Sequence, residues 1–457
     1  MIDISSSNRS TIVALATPLG ESAIGMVRLS GPEAWKIAGS LYQGKTPWEK
    51  LTVRKVFVGL FGEEGEILDE ATWIRYAGPA SYTGEDMVEI MFHGNPWILL
   101  EAQKKLIEHG AVMAKPGEFT ERAYLNGKMD LNQAEAVNDL IRAHSRFSKS
   151  AALSQLQGKL SHVVNHLHTR LLDLLALIEA AIDHSDIEET FLPTAEISSR
   201  LSELEKGLSE LLKTARAGQF LKLGIRVAIV GSPNVGKSSL FNLLAREDRA
   251  IVTNIPGTTR DILETEIQIE GIPFRLMDTA GIRESHDIVE QEGIRRTQQS
   301  IALSDVCIVL FDGQRKPSDE DRKMVELVKD KQTIFVVNKV EEPHCATMYD
   351  FLPDPILISV KHHHNIEKLH EALEKQYTSL GYNPQADILL TNQRQEMLVK
   401  QTLEAIHEAQ DAVSHNASEE YIAHHLYKAK LHLEEIVGKS HHEAILERIF
   451  SQFCIGK

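Results

Sequence analysis

Between residues 11 and 93 the chain carries short apolar and alternating runs, TIVALAT, SAIGMVRLSG, VRKVFVGLFG, EATWIRYAG and DMVEIMFHG, broken by Gly, Pro and polar turns. Stretches near 31–41 and 95–109 have helical spacing instead, so residues 1–118 are predicted to form a small α+β domain. From about 118 to 218 the spacing becomes that of long helices, as in LHTRLLDLLALIEAAI, with the polar run Asp183 to Asp186 and Pro193 marking a break between two of them. The same texture returns from about 388 to 450. Between these helical stretches the strands IRVAIVG, CIVLFDG and TIFVVNK alternate with helices, the order of a parallel sheet. The pattern predicts a multidomain α/β protein in which an α/β domain at 222–380 interrupts a helical domain made of 119–221 and 381–457. No internal repeat or low-complexity linker is visible; His362-His363-His364 is too short to count as one.

A length of 457 residues exceeds what one hydrophobic core ordinarily serves, which agrees with several domains. Apolar content of 42% and charged content of 25% are those of a globular protein, and no apolar run approaches the roughly 20 residues of a membrane span. The first residues lack a basic segment followed by an apolar one, and Cys307, Cys345 and Cys454 have no paired spacing, so a reducing cytoplasmic setting is expected. A net charge of −16 argues against broad coating of nucleic acid. The ending Cys454-Ile455-Gly456-Lys457 has the outline of a prenylation box, but Gly456 is not aliphatic and Lys457 is an atypical last residue.

Chemistry concentrates in the interrupting domain. Strand Arg226–Val230 runs into Gly231-Ser232-Pro233-Asn234-Val235-Gly236-Lys237-Ser238-Ser239 and then the apolar segment LFNLLA, the strand–loop–helix setting of a phosphate-binding loop. There the glycines let backbone N–H groups face phosphate, Lys237 neutralises the β- and γ-phosphates, and the Ser238 hydroxyl ligates Mg²⁺. Strand IPFRLMDT delivers Asp278 to the Mg²⁺ shell, followed by Thr279, Ala280 and Gly281, whose N–H reaches the γ-phosphate. Thr258-Thr259-Arg260-Asp261 precedes strand ILETEIQIE; a threonine hydroxyl there, Thr259 by position, completes Mg²⁺ coordination only while the γ-phosphate is present, which makes a switch loop. At the end of TIFVVNK, where guanine-reading proteins carry Asn-Lys-x-Asp, stand Asn338, Lys339 and Glu341. Glu341 keeps an acceptor carboxylate but adds a methylene, and Glu342 is a second candidate. Ser359-Val360-Lys361 after strand PILISV resembles the Ser-Ala-Lys loop that supports the base.

Ras-type enzymes place a water-orienting glutamine after the aspartate-x-x-glycine motif, and here that position is Ile282, which cannot orient water. Either the domain is a slow switch, or an acid of the segment RESHDIVEQEG (Glu284, Glu290 or Glu292) takes the role, with Arg283 a surface arginine.

Asn234, the run Thr253-Asn254-Ile255-Pro256-Gly257-Thr258-Thr259-Arg260-Asp261 and the DTAGIRE stretch resemble those of potassium-dependent GTPases. Over nearly its whole length, through ALATPLGESAIGMVRLSG, YTGEDMVE, HGNP, PGEFTERAYLNGKMDLNQAEA, SQLQGKL and the ending Phe453-Cys454-Ile455-Gly456-Lys457, the chain resembles the MnmE (TrmE) family of tRNA-modification GTPases. That resemblance implies an N-terminal α+β domain that dimerises and binds a 5-formyl-tetrahydrofolate or related one-carbon donor, and a helical domain around an inserted Ras-like GTPase domain. It carries the folate site onto Arg28, Glu89, Lys128 and Lys457, which as residues alone read as surface charges and a strand acid. It carries K⁺ onto Asn234, Thr253, Ile255 and Thr258, and selects Glu290 as the acid that acts in catalysis beside Lys237. Cys454 matches a family cysteine, with an unreactive terminal thiol as the plain alternative. The implied activity is GTP hydrolysis coupled to modification of a wobble uridine at carbon 5, in a homodimer that works on tRNA with an MnmG (GidA) family flavoprotein and no membrane. A ribosome-assembly GTPase would share the nucleotide loops without the YTGED and PGEFTERAYLNGKMDL segments.

Overall fold

The structure, a computed structural model, describes residues 10–143, 145–183, 193–247, 264–277, 289–341, 349–379, 389–440 and 443–457. In chain order its elements begin with β1 Ile12–Leu15, β2 Ser22–Ser30, α1 Ala34–Ser40, β3 Tyr42–Gln43, β4 Val56–Glu63, β5 Glu66–Tyr76, β6 Met87–Gly94, α2 Pro96–Glu108, β7 Val112–Met113, α3 Glu118–Leu125 and α4 Leu131–Ile141. They continue with α5 Arg146–Leu156, α6 Lys159–Asp183, α7 Thr194–Lys213, α8 Ala215–Leu223, β8 Ile225–Val230, α9 Lys237–Glu247, β9 Glu264–Ile269, β10 Ile272–Met277, α10 Val289–Leu303 and β11 Val306–Asp312. The last are α11 Asp319–Leu327, β12 Gln332–Asn338, β13 Ile356–Leu357, α12 Ile366–Ser379, α13 Gln393–Ser414, α14 Glu419–Val437 and α15 Glu443–Phe450. Contacts divide the chain into two units, 1–138 with 437–457, and 139–436.

The first unit is built on a seven-stranded sheet in the order β3-β4-β5-β6-β2-β1-β7, antiparallel except for the β1–β7 pair. The period-2 alternation read in the sequence puts Val27, Leu29, Val88, Ile90 and Trp73 against Leu99, Ala102 and Leu106 of α2. Pro96 at the first helical position and the Asn95 side chain, which accepts from the Trp97 amide, start that helix. Trp73, fully buried, stacks on Phe61 at 5.6 Å and meets Tyr42 edge-on at 5.2 Å, geometries an aromatic quadrupole favours. On β4 the same alternation turns Val56, Val58 and Leu60 outward, where they are 63, 58 and 36% exposed. The C-terminal α15 packs on α3 through Tyr124, Phe450 and Phe453, and the Tyr124 hydroxyl donates to the Gly438 carbonyl at 2.5 Å. The outer ends of both helical stretches read in sequence, 119–138 and 437–457, belong to this unit, where apolar rings of the last turns pack against α3 and α4.

In the second unit the long helical periodicity resolves into α6, whose Leu160, Val164, Leu167, Leu171, Leu174, Leu175 and Ile178 form a buried stripe, and α7, with Ile197, Leu201, Leu204, Leu208 and Leu211 at three- and four-residue spacing. Gln155 of α5 donates to the Leu389 carbonyl (2.8 Å) and to the Thr391 hydroxyl (2.9 Å), and a Cβ on Gly218 would lie 2.1 Å from the Leu390 carbonyl oxygen. Chain entering and chain leaving the α/β portion thus meet directly, which is the geometry an insertion needs. That portion is a six-stranded sheet, β13-β12-β11-β8-β10-β9, parallel except for the β9–β10 hairpin. Both faces are covered: Ile225, Val227 and Ile229 of β8 enter one core, Ala228 and Val230 the other, as a continuous apolar run requires. Among the described residues no helix is long and apolar enough to cross a membrane.

Candidate nucleotide site and a second polar site

Strand β8 ends at the centre of the parallel sheet, between β10 and β11, and the loop that follows opens onto the first turn of α9. Ligands in such sheets collect at this end, where a helix N-terminus adds a positive field. Gly231 has φ +149° and a Cβ there would stand 2.3 Å from the Leu310 carbonyl oxygen; Gly236, at φ +104°, would put one 2.4 Å from Asn338 Nδ2. Only glycine fits either place. Asn234 takes the left-handed conformation with φ +62°, one that a short amide side chain tolerates and that marks a loop held in shape by its surroundings.

Three side chains supply that restraint. Lys237 folds over the loop and donates its Nζ to the Gly231 and Ser232 carbonyls, both at 2.9 Å. Burial holds its ammonium below the usual lysine value, so the loop's centre favours an anionic companion for it. Asn338, at the end of β12 and 3% exposed, donates Nδ2 to the Val235 carbonyl (2.9 Å) and accepts the Val360 amide at Oδ1 (3.1 Å). One amide thereby joins the 231–239 loop, the end of β12 and the Ser359-Val360-Lys361 loop. Lys339, also left-handed at φ +62°, donates to the Asn234 carbonyl (2.8 Å) and to Asp312 of β11 (2.6 Å).

Glu341 is exposed, with its Oε1 3.5 Å from His362 Nε2. Ser238 and Ser239 are exposed in the first turn of α9, where the Ser238 hydroxyl fits a hard cation that prefers oxygen ligands. Glu290 lies in the first turn of α10, and nothing is described of its side chain. The expected residues Thr253, Asn254, Ile255, Pro256, Gly257, Thr258, Thr259, Asp278, Thr279, Ala280 and Gly281 lie outside the described residues, as do Ile282, Arg283, Glu284 and Glu342. The structure thus brings together the 231–239 loop, the Asn338-Lys339 pair and the Ser359-Val360-Lys361 loop.

In the first unit, Arg28 of β2 stands opposite Glu89 of β6 in the sheet register and donates Nε (2.9 Å) and Nη2 (2.7 Å) to Glu89 Oε1. Tyr76 of β5 donates its hydroxyl to Glu89 Oε2 at 2.9 Å; burial first, then that carboxylate, pushes the phenol up to about 12. Arg28 also lies over the rings of Tyr82 (5.5 Å) and Phe119 (5.7 Å) and donates to the Gly456 carbonyl at 3.4 Å. Gly456 is left-handed at φ +95°, and a Cβ on it would meet the Leu15 carbonyl oxygen at 2.1 Å, so the glycine lets the tail lie against β1. Burial and the nearby Arg28 lower the Lys457 ammonium, while Glu89 partly restores it. Arg28, Glu89 and Lys457 therefore share one polar site; Lys128 turns its ammonium to the Pro79 carbonyl at 2.8 Å. Tyr76, Tyr82, Phe119 and Asp312 were invisible as site residues in the sequence, since only strand register and tertiary packing bring them in.

Residues 11–128 match the family model described as the GTP-binding protein TrmE N-terminus, and residues 131–454 match the one described as the MnmE helical domain. The chain belongs to the MnmE family. An MnmE tRNA modification GTPase of Aquifex aeolicus is 42% identical over 453 residues, covering 98% of this chain and 100% of its own length. That of Thermotoga maritima is 42% identical over 454 residues with the same coverage, and that of Streptococcus sanguinis 39% identical over 453 residues, covering 98% of each. Among solved structures, the G domain of the Thermotoga maritima FeoB iron transporter aligns with 33% of this chain and 98% of its own at 21% identity and a TM-score of 0.25.

Proposed function

We propose that this MnmE-family GTPase couples GTP hydrolysis to modification of certain tRNAs at carbon 5 of the wobble uridine, adding a carboxymethylaminomethyl or aminomethyl-type group. In this reading the one-carbon unit comes from 5-formyl-tetrahydrofolate or a related tetrahydrofolate, and an MnmG-type flavoprotein is the partner in the cytoplasm. The observation that carries it is the fastening of the phosphate loop to the base-reading residues by Asn338 and Lys339, because a nucleotide must be held at both ends at once. Residues 1–118 are the folate and dimerisation domain, 119–221 with 381–457 the helical domain, and 222–380 the GTPase domain.

Asn234, Val235, Gly236, Lys237, Ser238 and Ser239 surround the phosphates, with Lys237 leaving the Gly231 and Ser232 carbonyls for the β- and γ-phosphates. Asn338, Lys339 and Glu341 read the guanine edge, and Ser359, Val360 and Lys361 support the ring. Thr253 to Thr259 and Asp278 to Gly281 sense the γ-phosphate, and Glu290 orients the attacking water in place of the missing glutamine. Mg²⁺, held by Ser238 and Thr259, and K⁺, held by Asn234, Thr253, Ile255 and Thr258, would neutralise charge that develops on the phosphates. In the second site the Glu89 carboxylate, oriented by Arg28 and Tyr76, suits a pterin edge, and the cations of Arg28, Lys128 and Lys457 suit a glutamate tail. The outward row Val56, Val58 and Leu60 supports self-association, since charged residues would otherwise be expected on a solvated sheet face.

The test is a pair of measurements on the purified chain: titration with GTP, ATP and xanthosine triphosphate, then turnover with and without the flavoprotein and tRNA. GTP preference with tRNA product formed only in the full mixture is the expected result; product formed without GTP would overturn the coupling.

A further inference from the structure

Beneath the phosphate loop lies a buried carboxylate that the reading above does not use. Asp321, in the first turn of α11, is 1% exposed, accepts four hydrogen bonds and forms an ion pair with Arg315. Arg315 donates Nη2 to Oδ1 (2.9 Å), and its Nη1 lies 2.8 Å from Oδ2 as an ion pair. Ser318 donates its amide (2.9 Å) and hydroxyl (3.0 Å) to Oδ2. The fourth hydrogen bond comes from the Ser232 hydroxyl, 2.8 Å from Oδ1, and Ser232 is the second residue of the phosphate loop, itself 7% exposed.

A capping box requires only the exchange between Ser318 and Asp321. The bond to Ser232 spans 89 positions of sequence and adds nothing to the cap. What it does is pin the loop from below at the residue whose carbonyl accepts Lys237 from above. When Lys237 moves to a phosphate, that upper contact opens, and the Ser232–Asp321 bond is what then holds this part of the loop with its N–H groups directed at the ligand. Arg315 balances the carboxylate charge, so the tether does not repel phosphate.

We propose that Asp321 is a positioning residue for nucleotide binding, acting through the Ser232 hydroxyl to hold the phosphate loop in its ligand-ready shape before the nucleotide arrives. This rests on the reading of 231–239 as the phosphate site. Because the tether acts on the loop as a whole, it serves GDP and GTP alike and contributes to binding rather than to the chemical step.

The test uses the full chain with Ser232→Ala, Ser232→Thr, Asp321→Asn and, as a control on the site itself, Lys237→Ala. Calorimetry with GTP and GDP is combined with steady-state turnover and a thermal melt. Ser232→Ala is expected to weaken both nucleotides by about tenfold and raise KM by a similar factor, the scale of one buried hydrogen bond, with kcat within about twofold of the wild type. Ser232→Thr, which keeps the hydroxyl, is expected to restore affinity. Asp321→Asn, if it folds, should follow Ser232→Ala; if it does not fold, the serine pair carries the test. Wild-type affinity and KM in Ser232→Ala would overturn the proposal, as would failure of a well-folded Ser232→Thr to recover. Nucleotide binding that survives Lys237→Ala would instead overturn the phosphate-loop reading, while loss in Lys237→Ala with none in Ser232→Ala would remove the tether alone.

Discussion

Arg28 and Glu89 face each other across the β2–β6 register and are joined by two charge-assisted bonds of 2.9 and 2.7 Å to a single carboxylate oxygen. The other oxygen takes the Tyr76 hydroxyl, so Glu89 is held by both neighbours while Lys457 stands close enough to feel its charge. Replacing Arg28 and Lys128 by alanine together is expected to abolish binding of 5-formyl-tetrahydrofolate and tRNA modification while leaving GTP affinity unchanged. Calorimetry with each ligand checks it, and undiminished folate binding would remove these residues from the site.

Asn338 braces the Val235 carbonyl, and in the proposed reading it also contacts the guanine base. Asn338→Ala is expected to weaken GTP by more than tenfold, about 1.4 kcal/mol, since it strands a buried carbonyl as well as losing a base contact. Glu341→Asp is expected to keep or improve affinity, because it restores the shorter carboxylate common at that position, and GTP should bind at least tenfold, about 1.4 kcal/mol, tighter than ATP in the unaltered chain. Equal affinity for the two nucleotides would mean the base is read elsewhere.

Hydrolysis lacking a glutamine is expected to need both a monovalent cation and an acid. Turnover should be faster in potassium than in sodium chloride at matched ionic strength, with potassium also promoting pairing of the GTPase domains. Glu290→Ala should lower kcat by roughly 10²-fold with nucleotide affinity nearly unchanged, as befits a group acting on the chemical step. Stopped phosphate-release assays in the two salts separate the halves: equal rates dispose of the cation, and full activity in Glu290→Ala disposes of the acid.

The Asp321 carboxyl carries a pH signature of its own. Burial pushes it up, but the Ser318 amide, Arg315 and the Ser232 and Ser318 hydroxyls outweigh burial and leave it below the usual carboxylate value. A carboxylate lowered by folding stabilises the folded state above its unfolded pKa of about 3.9, and that contribution disappears as pH falls from there through the folded value. Urea unfolding of the wild type should therefore lose stability more steeply below about pH 4 than Asp321→Asn does. Parallel slopes would show that the native pairing does not favour the ionised form.

Local patterning by itself determined the strand and helix content and the strand–loop–helix order of β8, residues 231–236 and α9. Each of those depends on residues adjacent in sequence: period-2 and period-3.6 apolar spacing, and glycines that the loop backbone demands at Gly231 and Gly236. The Asn338, Lys339 and Ser359 to Lys361 segments were equally legible because each follows an apolar strand at a known end of a parallel sheet.

Long-range placement was decided only by the tertiary structure. Nothing local tells Ser232 that Asp321 lies beneath it, or Arg28 that Glu89, Tyr76 and the Gly456 carbonyl surround it, since those contacts exist only after strands register and the C-terminal tail packs on α3. Resemblance to the MnmE family could mark Arg28, Glu89 and Lys457, but not the bonds that orient them. Hydrophobic periodicity states which face of an element is buried; which other element buries it depends on free energy summed over the whole chain, and polar partners are selected in that same step.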